Sequence, residues 1–96
     1  MENPSIMSHV SLGTNDYAKA KSFYTAVLAT IGAGVIMEHS DAAAFGKKFP
    51  EFWVQAPIDG KPAVTANGVH FGFWANSTQE VHEFYDTALK HGATGD

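Results

Sequence analysis

The chain contains one sequence pattern twice, at an offset of 61 residues, and this internal repeat constrains its fold more than any other feature. Each copy reads as a short strand that carries a histidine, then a polar corner, then a helix with an apolar stripe. Identical pairs at this offset include His9/His70, Asn15/Asn76, Phe23/Phe84, Tyr24/Tyr85 and Leu28/Leu89. A repeat at fixed spacing sets the architecture of a chain, so we predict a duplicated strand–helix module.

The first copy is predicted to continue into a small sheet. Alternating apolar residues favour strands, and apolar residues at helical spacing followed by Gly32 favour a helix that ends there. The predicted elements are a strand over residues 6–12, a helix over 17–31 and three short antiparallel strands over 35–39, 42–46 and 49–56. We therefore take residues 6–57 as module one.

The second copy repeats only the strand and the helix. Residues 58–67 contain the glycine and proline typical of a linker, and residues 68–96 form a partial module two. Its strand is predicted over 68–75, and a capping box at residues 77–80 opens its helix. A lone strand and helix cannot cover their apolar faces. We expect either roughly 35 further residues in three strands or a partner chain at this point, and we favour the further residues.

The composition bounds the class of protein and its partners. Ninety-six residues suffice for one domain, and the absence of cysteine excludes disulfides and thiolate metal sites. Six lysines, no arginine and a net charge of −4 argue against nucleic acid, which is bound by arginine and basic patches. The sequence shows neither an apolar run of membrane-spanning length nor a signal-peptide pattern at its start. We therefore expect a cytoplasmic protein that binds neither nucleic acid nor membranes.

Three stretches of the chain resemble the vicinal oxygen chelate superfamily, which includes glyoxalase, bleomycin-resistance proteins and extradiol dioxygenases. They are Ser8–Asp16 with the helix that follows, Pro50–Trp53, and Val69–Phe73 with the helix that precedes Gly92. The resemblance implies an α+β fold of paired βαβββ modules, whose curved mixed sheet has helices on its outside, with the second module incomplete in this chain. In such proteins the concave faces meet around a small ligand, often with a divalent metal.

His9 and His70 are the first candidates for chemistry. Each is predicted on the strand face opposite the large apolar residues. The repeat relates the two by an approximate twofold axis, so the imidazoles should approach each other. Two imidazoles and a carboxylate suit Fe, Mn, Ni or Zn, with open positions for a substrate. The alternative is that each histidine is hydrogen-bonded in a polar cavity without a metal.

The resemblance implies a third, oxygen ligand on the last strand of module one. Alternation places Glu51, Trp53 and Gln55 on one face of that strand. Gln55 could coordinate through its carbonyl oxygen, whereas Glu51 lies near the start of the strand and Trp53 could block a metal at its centre. We predict His9, His70 and Gln55 as the metal ligands, with Glu51 as the alternative to Gln55.

Trp53 and Trp74 are the candidates for binding an organic ligand, with Gln55 as a polar contact. Both indoles are predicted to face the cup, where they could stack a flat ring, and the net negative charge favours cations. Packing in the core is the alternative for each of them.

Two functions from different classes follow from these observations. The first is a divalent-metal-dependent enzyme, either a lyase or isomerase similar to lactoylglutathione lyase, or a dioxygenase. The second is a non-catalytic protein of the bleomycin-resistance type, which sequesters a small drug-like molecule with its cavity aromatics. We expect a homodimer in either case, and no motif selects the substrate.

Overall fold

A computed structural model describes residues 6–95, which form one mixed sheet of four strands and two helices. The strands are β1 (Val10–Gly13), β2 (Gly34–Glu38), β3 (Ala42–Gly46) and β4 (Phe52–Gln55), and the helices are α1 (Tyr17–Ala29) and α2 (Thr78–Lys90). The predicted α+β class is confirmed, and so is the βαβββ order of module one.

The strand order β1-β4-β3-β2 places the first and last strands of module one side by side. β1 and β4 pair in parallel, with Val10 opposite Phe52 and Leu12 opposite Val54. β4, β3 and β2 form an antiparallel meander. A parallel pair needs a long crossover connection, which α1, β2 and β3 supply. The strand that follows the first histidine therefore lies directly beside the strand that carries Trp53.

Helix α1 has an identifiable capping interaction at each end. The Asp16 carboxylate accepts a hydrogen bond from the Lys19 N–H at 3.1 Å, which satisfies a donor that has no partner within the helix. At the other end Gly32 has a φ of 82°, and the Ala33 N–H donates to the Leu28 carbonyl at 3.0 Å. A left-handed glycine terminates a helix in this way, and α1 ends two residues earlier than predicted.

Strand β4 begins three residues later than predicted, because residues 46–51 form a tight loop. The Glu51 N–H donates to the Phe45 carbonyl at 3.1 Å. A side chain at Gly46 would collide with the backbone carbonyl of Phe49, so this position requires glycine. β1 likewise begins at Val10 rather than at residue 6.

The core lies between α1 and one face of the sheet. The strand positions that point toward α1 are mostly large and apolar, and they pack with Leu28 and Ile31. These positions are Val10, Leu12, Ala43, Phe45, Phe52 and Val54. Burying a large apolar side chain stabilises the fold by about 1.5–3 kcal/mol. This face of the sheet forms the hydrophobic core with α1. We call the opposite face, which points away from α1, the open face.

The predicted strand over residues 68–75 is wrong, because the segment is irregular. Phe71 and Phe73 nevertheless pack on Phe52, with ring centroids 6.2 and 5.2 Å from it. Phe71 and Phe73, which are two residues apart, therefore both face the core, as alternate residues of a strand would. A strand also needs a neighbour for its backbone hydrogen bonds, and no described strand pairs with this segment.

Helix α2 begins with the predicted capping box. The Ser77 hydroxyl accepts a hydrogen bond from the Glu80 N–H at 3.1 Å. The Glu80 carboxylate accepts one from the Asn76 N–H at 2.7 Å, one residue before the usual position. Phe84 packs against the core, but no residue of α2 is fully buried.

Three apolar side chains of α2 are exposed and form the α2 stripe, which consists of Val81, Tyr85 and Leu89. The repeat aligns them with the α1 residues that pack against the sheet, Ala20, Tyr24 and Leu28. α2 therefore presents to solvent the positions that α1 uses for packing. Neither described helix has the length and apolar character needed to cross a membrane.

Candidate functional site

The open face carries small side chains around one large aromatic ring. In the register of the sheet, Trp53 lies opposite Ser11 on β1 and opposite Ala44 on β3. Gln55, the next residue of β4 on this face, has a glycine and an alanine opposite it. The same strands carry Phe, Val and Leu toward α1, so the small residues are confined to one face. The half-buried indole therefore has only small side chains directly opposite it on β1 and β3.

The imidazole of His39 lies nearly parallel to the indole of Trp53. Their planes are 7° apart and their ring centroids are 6.3 Å apart. His39 follows β2 directly, and its N–H donates to the Ala42 carbonyl at 2.7 Å across the turn to β3. Its carbonyl accepts a hydrogen bond from the Tyr17 hydroxyl at 3.4 Å. The backbone of His39 is thus fixed from two sides, while its ring is exposed.

A β-bulge in β2 directs His39 to the open face. Val35 pairs with Phe45 on the side of α1, but after the bulge Met37 pairs with Ala44 on the open side. A bulge inserts one residue and so reverses the alternation that follows it. The position of Glu38 agrees with this shift, because its carboxylate forms an ion pair with Lys21 of α1.

His9 and Glu51 are neighbours across the β1–β4 edge. The Val10 N–H donates to the Glu51 carbonyl at 3.0 Å, and the parallel register places the two preceding positions side by side. Nδ1 of His9 lies 3.1 Å from the Ser8 hydroxyl. Gln55 is four residues beyond Glu51, which is about 13 Å along an extended strand. Of the two candidate oxygen ligands, Glu51 is therefore nearer to His9, and the assignment of Gln55 stays a prediction.

A cavity of about 400 Å³ lies where β1 begins, between the end of α1 and residues 71–74. We call it the end cavity. His9 and Trp74 line it, whereas His70 and Trp53 are not among its lining residues. Trp74 is 91% exposed, so the cavity encloses little of its indole. The lining of the end cavity therefore includes one of the two candidate histidines and one of the two candidate tryptophans.

The resemblance implies a divalent metal. Such a site requires several donor side chains to lie close together. Across residues 6–95, no three His, Asp or Glu side chains are close enough together to hold one ion. His9 beside Glu51 supplies an incomplete donor set, and His70 lies on the irregular segment. The described residues do not by themselves fit a metal centre. His9, His70 and Gln55 as metal ligands therefore stay predictions.

Sequence reasoning placed Trp53 and Gln55 on one strand face, and the register agrees with that placement. It missed His39, to which it gave no role. A strict alternation from Val35 points His39 toward α1, and only the bulge reverses this. In the sequence, His39 is distinguished only by its position at the end of a predicted strand. This position does not identify Trp53 as its neighbour.

Known proteins share both the sequence pattern and the fold of this chain. The family model described as Glyoxalase/Bleomycin resistance protein/Dioxygenase superfamily matches residues 6–96. The crystal structure of a glyoxalase/bleomycin resistance protein from Albidiferax ferrireducens T118 is similar, with a TM-score of 0.84 and 33% sequence identity. The alignment covers 92% of this chain and 71% of that one. No functionally curated protein gives a significant match.

Proposed function

Because the chain belongs to the glyoxalase/bleomycin resistance protein/dioxygenase superfamily, we propose that it binds a small molecule with a flat apolar part on the open face of its sheet. One observation carries this proposal. The indole of Trp53 is paired with Ser11 and Ala44, while the opposite face of the same strands is filled by large side chains. A face used only for packing would carry larger groups around the indole.

The energetics of stacking support an aromatic ligand at this position. A ring that stacks on another ring gains about 0.5–1.5 kcal/mol beyond the apolar area that it buries. Ser11 beside Trp53 is exposed and the indole itself is only half-buried, so part of the ring is open to solvent. A ligand would bury this apolar surface and stack on the indole.

Polar groups flank the indole and can orient a ligand. The Gln55 amide offers a donor and an acceptor, and the Ser11 hydroxyl offers both as well. Small-molecule sites are typically concave and mostly apolar, with a few such polar groups that fix the orientation of the ligand. The open face combines an indole with polar groups of this kind.

The test compares the native chain with a Trp53→Leu variant. The probes are a set of flat aromatic compounds, and calorimetry measures the affinity of the tightest one. Leucine keeps an apolar side chain but removes the flat ring, so we expect binding to weaken by about tenfold or more. Phe49→Leu is the matched control, because Phe49 is 69% exposed in a loop, and its affinity should equal that of the native chain. Equal affinities for the native chain and Trp53→Leu contradict the proposal.

A metal-dependent lyase, isomerase or dioxygenase is the second candidate function. The observation that favours it is the position of His9 beside Glu51, because an imidazole and a carboxylate are two ligands that Fe, Mn, Ni and Zn accept. Metal analysis of native protein purified without an affinity tag tests it. Stoichiometric metal that is lost in a His9→Ala variant would support the enzyme, and its absence would leave the binding protein.

We also propose that the working form is a cytoplasmic homodimer. The exposed α2 stripe supports self-association, since solvent-exposed apolar stripes commonly mark interaction surfaces. Fractionation of cells that produce the native chain tests the location.

A further inference from the structure

We propose that His39 is a specificity-determining residue of the open-face site, which together with Trp53 selects flat fused-ring ligands over single rings. This inference rests on the proposed function. Its observation is the parallel arrangement of imidazole and indole, with planes 7° apart and centroids 6.3 Å apart. A ligand ring that stacks on the indole is thereby also parallel to the imidazole.

The separation of the two rings provides the selectivity. A ligand of one ring can be centred on the indole or on the imidazole, because their centroids are 6.3 Å apart. Two or three fused rings are wide enough to span this distance, so they can reach from one ring to the other. Each additional stacked ring pair contributes a further favourable interaction. The paired surface thus discriminates by ligand width, which an isolated indole does less well.

The backbone around His39 is anchored by hydrogen bonds that do not involve its side chain. The His39 N–H donates to the Ala42 carbonyl at 2.7 Å, and its carbonyl accepts from the Tyr17 hydroxyl at 3.4 Å. The same turn is tied to the end of β4, because the Ala56 N–H donates to the Asp41 carbonyl at 3.1 Å. A His39→Ala variant therefore removes the ring and leaves the turn.

The experiment measures the affinity of two flat cations of equal charge, the tricyclic proflavine and the single-ring benzamidine, by titration calorimetry. The native chain should bind proflavine more tightly than benzamidine. In His39→Ala we expect the affinity for proflavine to fall about fivefold and the affinity for benzamidine to change less than twofold. His39→Phe keeps a flat ring and should retain the native preference.

Each outcome separates this inference from the proposed function. If Trp53→Leu weakens binding of proflavine but His39→Ala does not, the inference fails and the proposed function stands. If His39→Ala binds proflavine more tightly, the imidazole competes with the ligand and the inference is wrong. A native chain that binds benzamidine as tightly as proflavine, or binds no proflavine, also overturns it. The compound set of the Trp53→Leu test judges the proposed function independently.

A ligand-free measurement checks the ring pair itself. In a Trp74→Phe background Trp53 is the only tryptophan, so its fluorescence reports its own surroundings. Adding His39→Ala should change the emission intensity and wavelength, because it removes the ring that lies parallel to the indole. Identical emission spectra with and without His39 show that the pair does not form and contradict the inference.

Discussion

Trp53 and Ala44 lie directly opposite each other in the antiparallel ladder of β4 and β3. Ala44 is completely buried although it points away from α1. The methyl group of Ala44 is therefore covered, and the accessible small side chains of the open face are elsewhere. Ser11, opposite Trp53, is exposed and Ala42, opposite Gln55, is half-buried, so enlarging a side chain at such a position should remove the proposed site.

Filling the floor of the open face should block ligand binding. Ala42 is half-buried opposite Gln55, so an Ala42→Leu side chain extends over the floor rather than into the core. We expect affinity for a flat ligand to fall about tenfold, with a change in the free energy of unfolding below about 1 kcal/mol. Calorimetry and urea denaturation measure the two quantities. Ala29→Leu, at an exposed position of α1, is the control, and an unchanged affinity in Ala42→Leu would count against the account.

Phe52 should dominate the stability of the core. Its ring is buried and packs against Tyr24, at a centroid distance of 5.0 Å, and against Phe73, at 5.2 Å. Phe52→Ala should lower the free energy of unfolding by about 3–5 kcal/mol, a large part of the stability of a small domain. Urea denaturation measures it. Phe49→Ala, at an exposed position, should change it by less than about 0.5 kcal/mol, and similar losses in both variants would contradict the assigned core.

Tyr24 should make the fold sensitive to alkaline pH. Burial raises the pKa of its phenol above the ordinary value of 10.0, because the buried environment disfavours the charged form. The contribution to stability is fully present below pH 10 and is lost as pH rises through the raised pKa of the folded state. Tyr24→Phe removes this ionisation. The native chain should therefore lose stability relative to Tyr24→Phe as the pH rises above about 10.

Urea denaturation across that range measures this difference. Tyr85→Phe removes the same hydroxyl from the repeat-equivalent helix position, where the ring is exposed. We expect its pH profile to follow that of the native chain. If Tyr24→Phe and the native chain lose stability in parallel, burial of Tyr24 is not a source of the pH dependence.

The α2 stripe should mediate the proposed self-association. Val81 and Leu89 are exposed on one side of α2 and occupy positions that α1 uses for packing. The native chain should sediment as a dimer, and a Val81→Lys/Leu89→Lys variant as a monomer. Gln79→Lys/Asp86→Lys, at exposed polar positions of the same helix, controls for added charge. A double stripe variant that remains dimeric would place the interface elsewhere.

Local sequence signals predicted most of module one. The periodicity and the cap at Asp16 located α1, and alternation located β2, β3 and β4 to within a few residues. The capping box at Ser77 and Glu80 located α2. Local signals succeed here because helix caps and alternation depend on residues that are adjacent in the chain.

Features that depend on residues far apart in the chain could not be predicted from these local sequence patterns. Residues 68–75 have the alternation of a strand, but no described strand supplies the backbone partners. The parallel arrangement of His39 and Trp53 requires the bulge between Val35 and Met37, because the bulge moves His39 to the other side of the sheet. The bulge reflects the pairing of two strands, and neither strand alone reveals it.

A nitrogen–proton NMR titration of the labelled chain tests whether a ligand binds to the open face. The probe is the tightest-binding compound from the set of flat aromatic molecules. We predict that the largest ligand-induced shifts fall on the open face, at the amides of Ser11, Ala44 and Gln55 and at the indole N–H of Trp53. Shifts confined to residues 71–74 around the end cavity, with the open face unchanged, would contradict it.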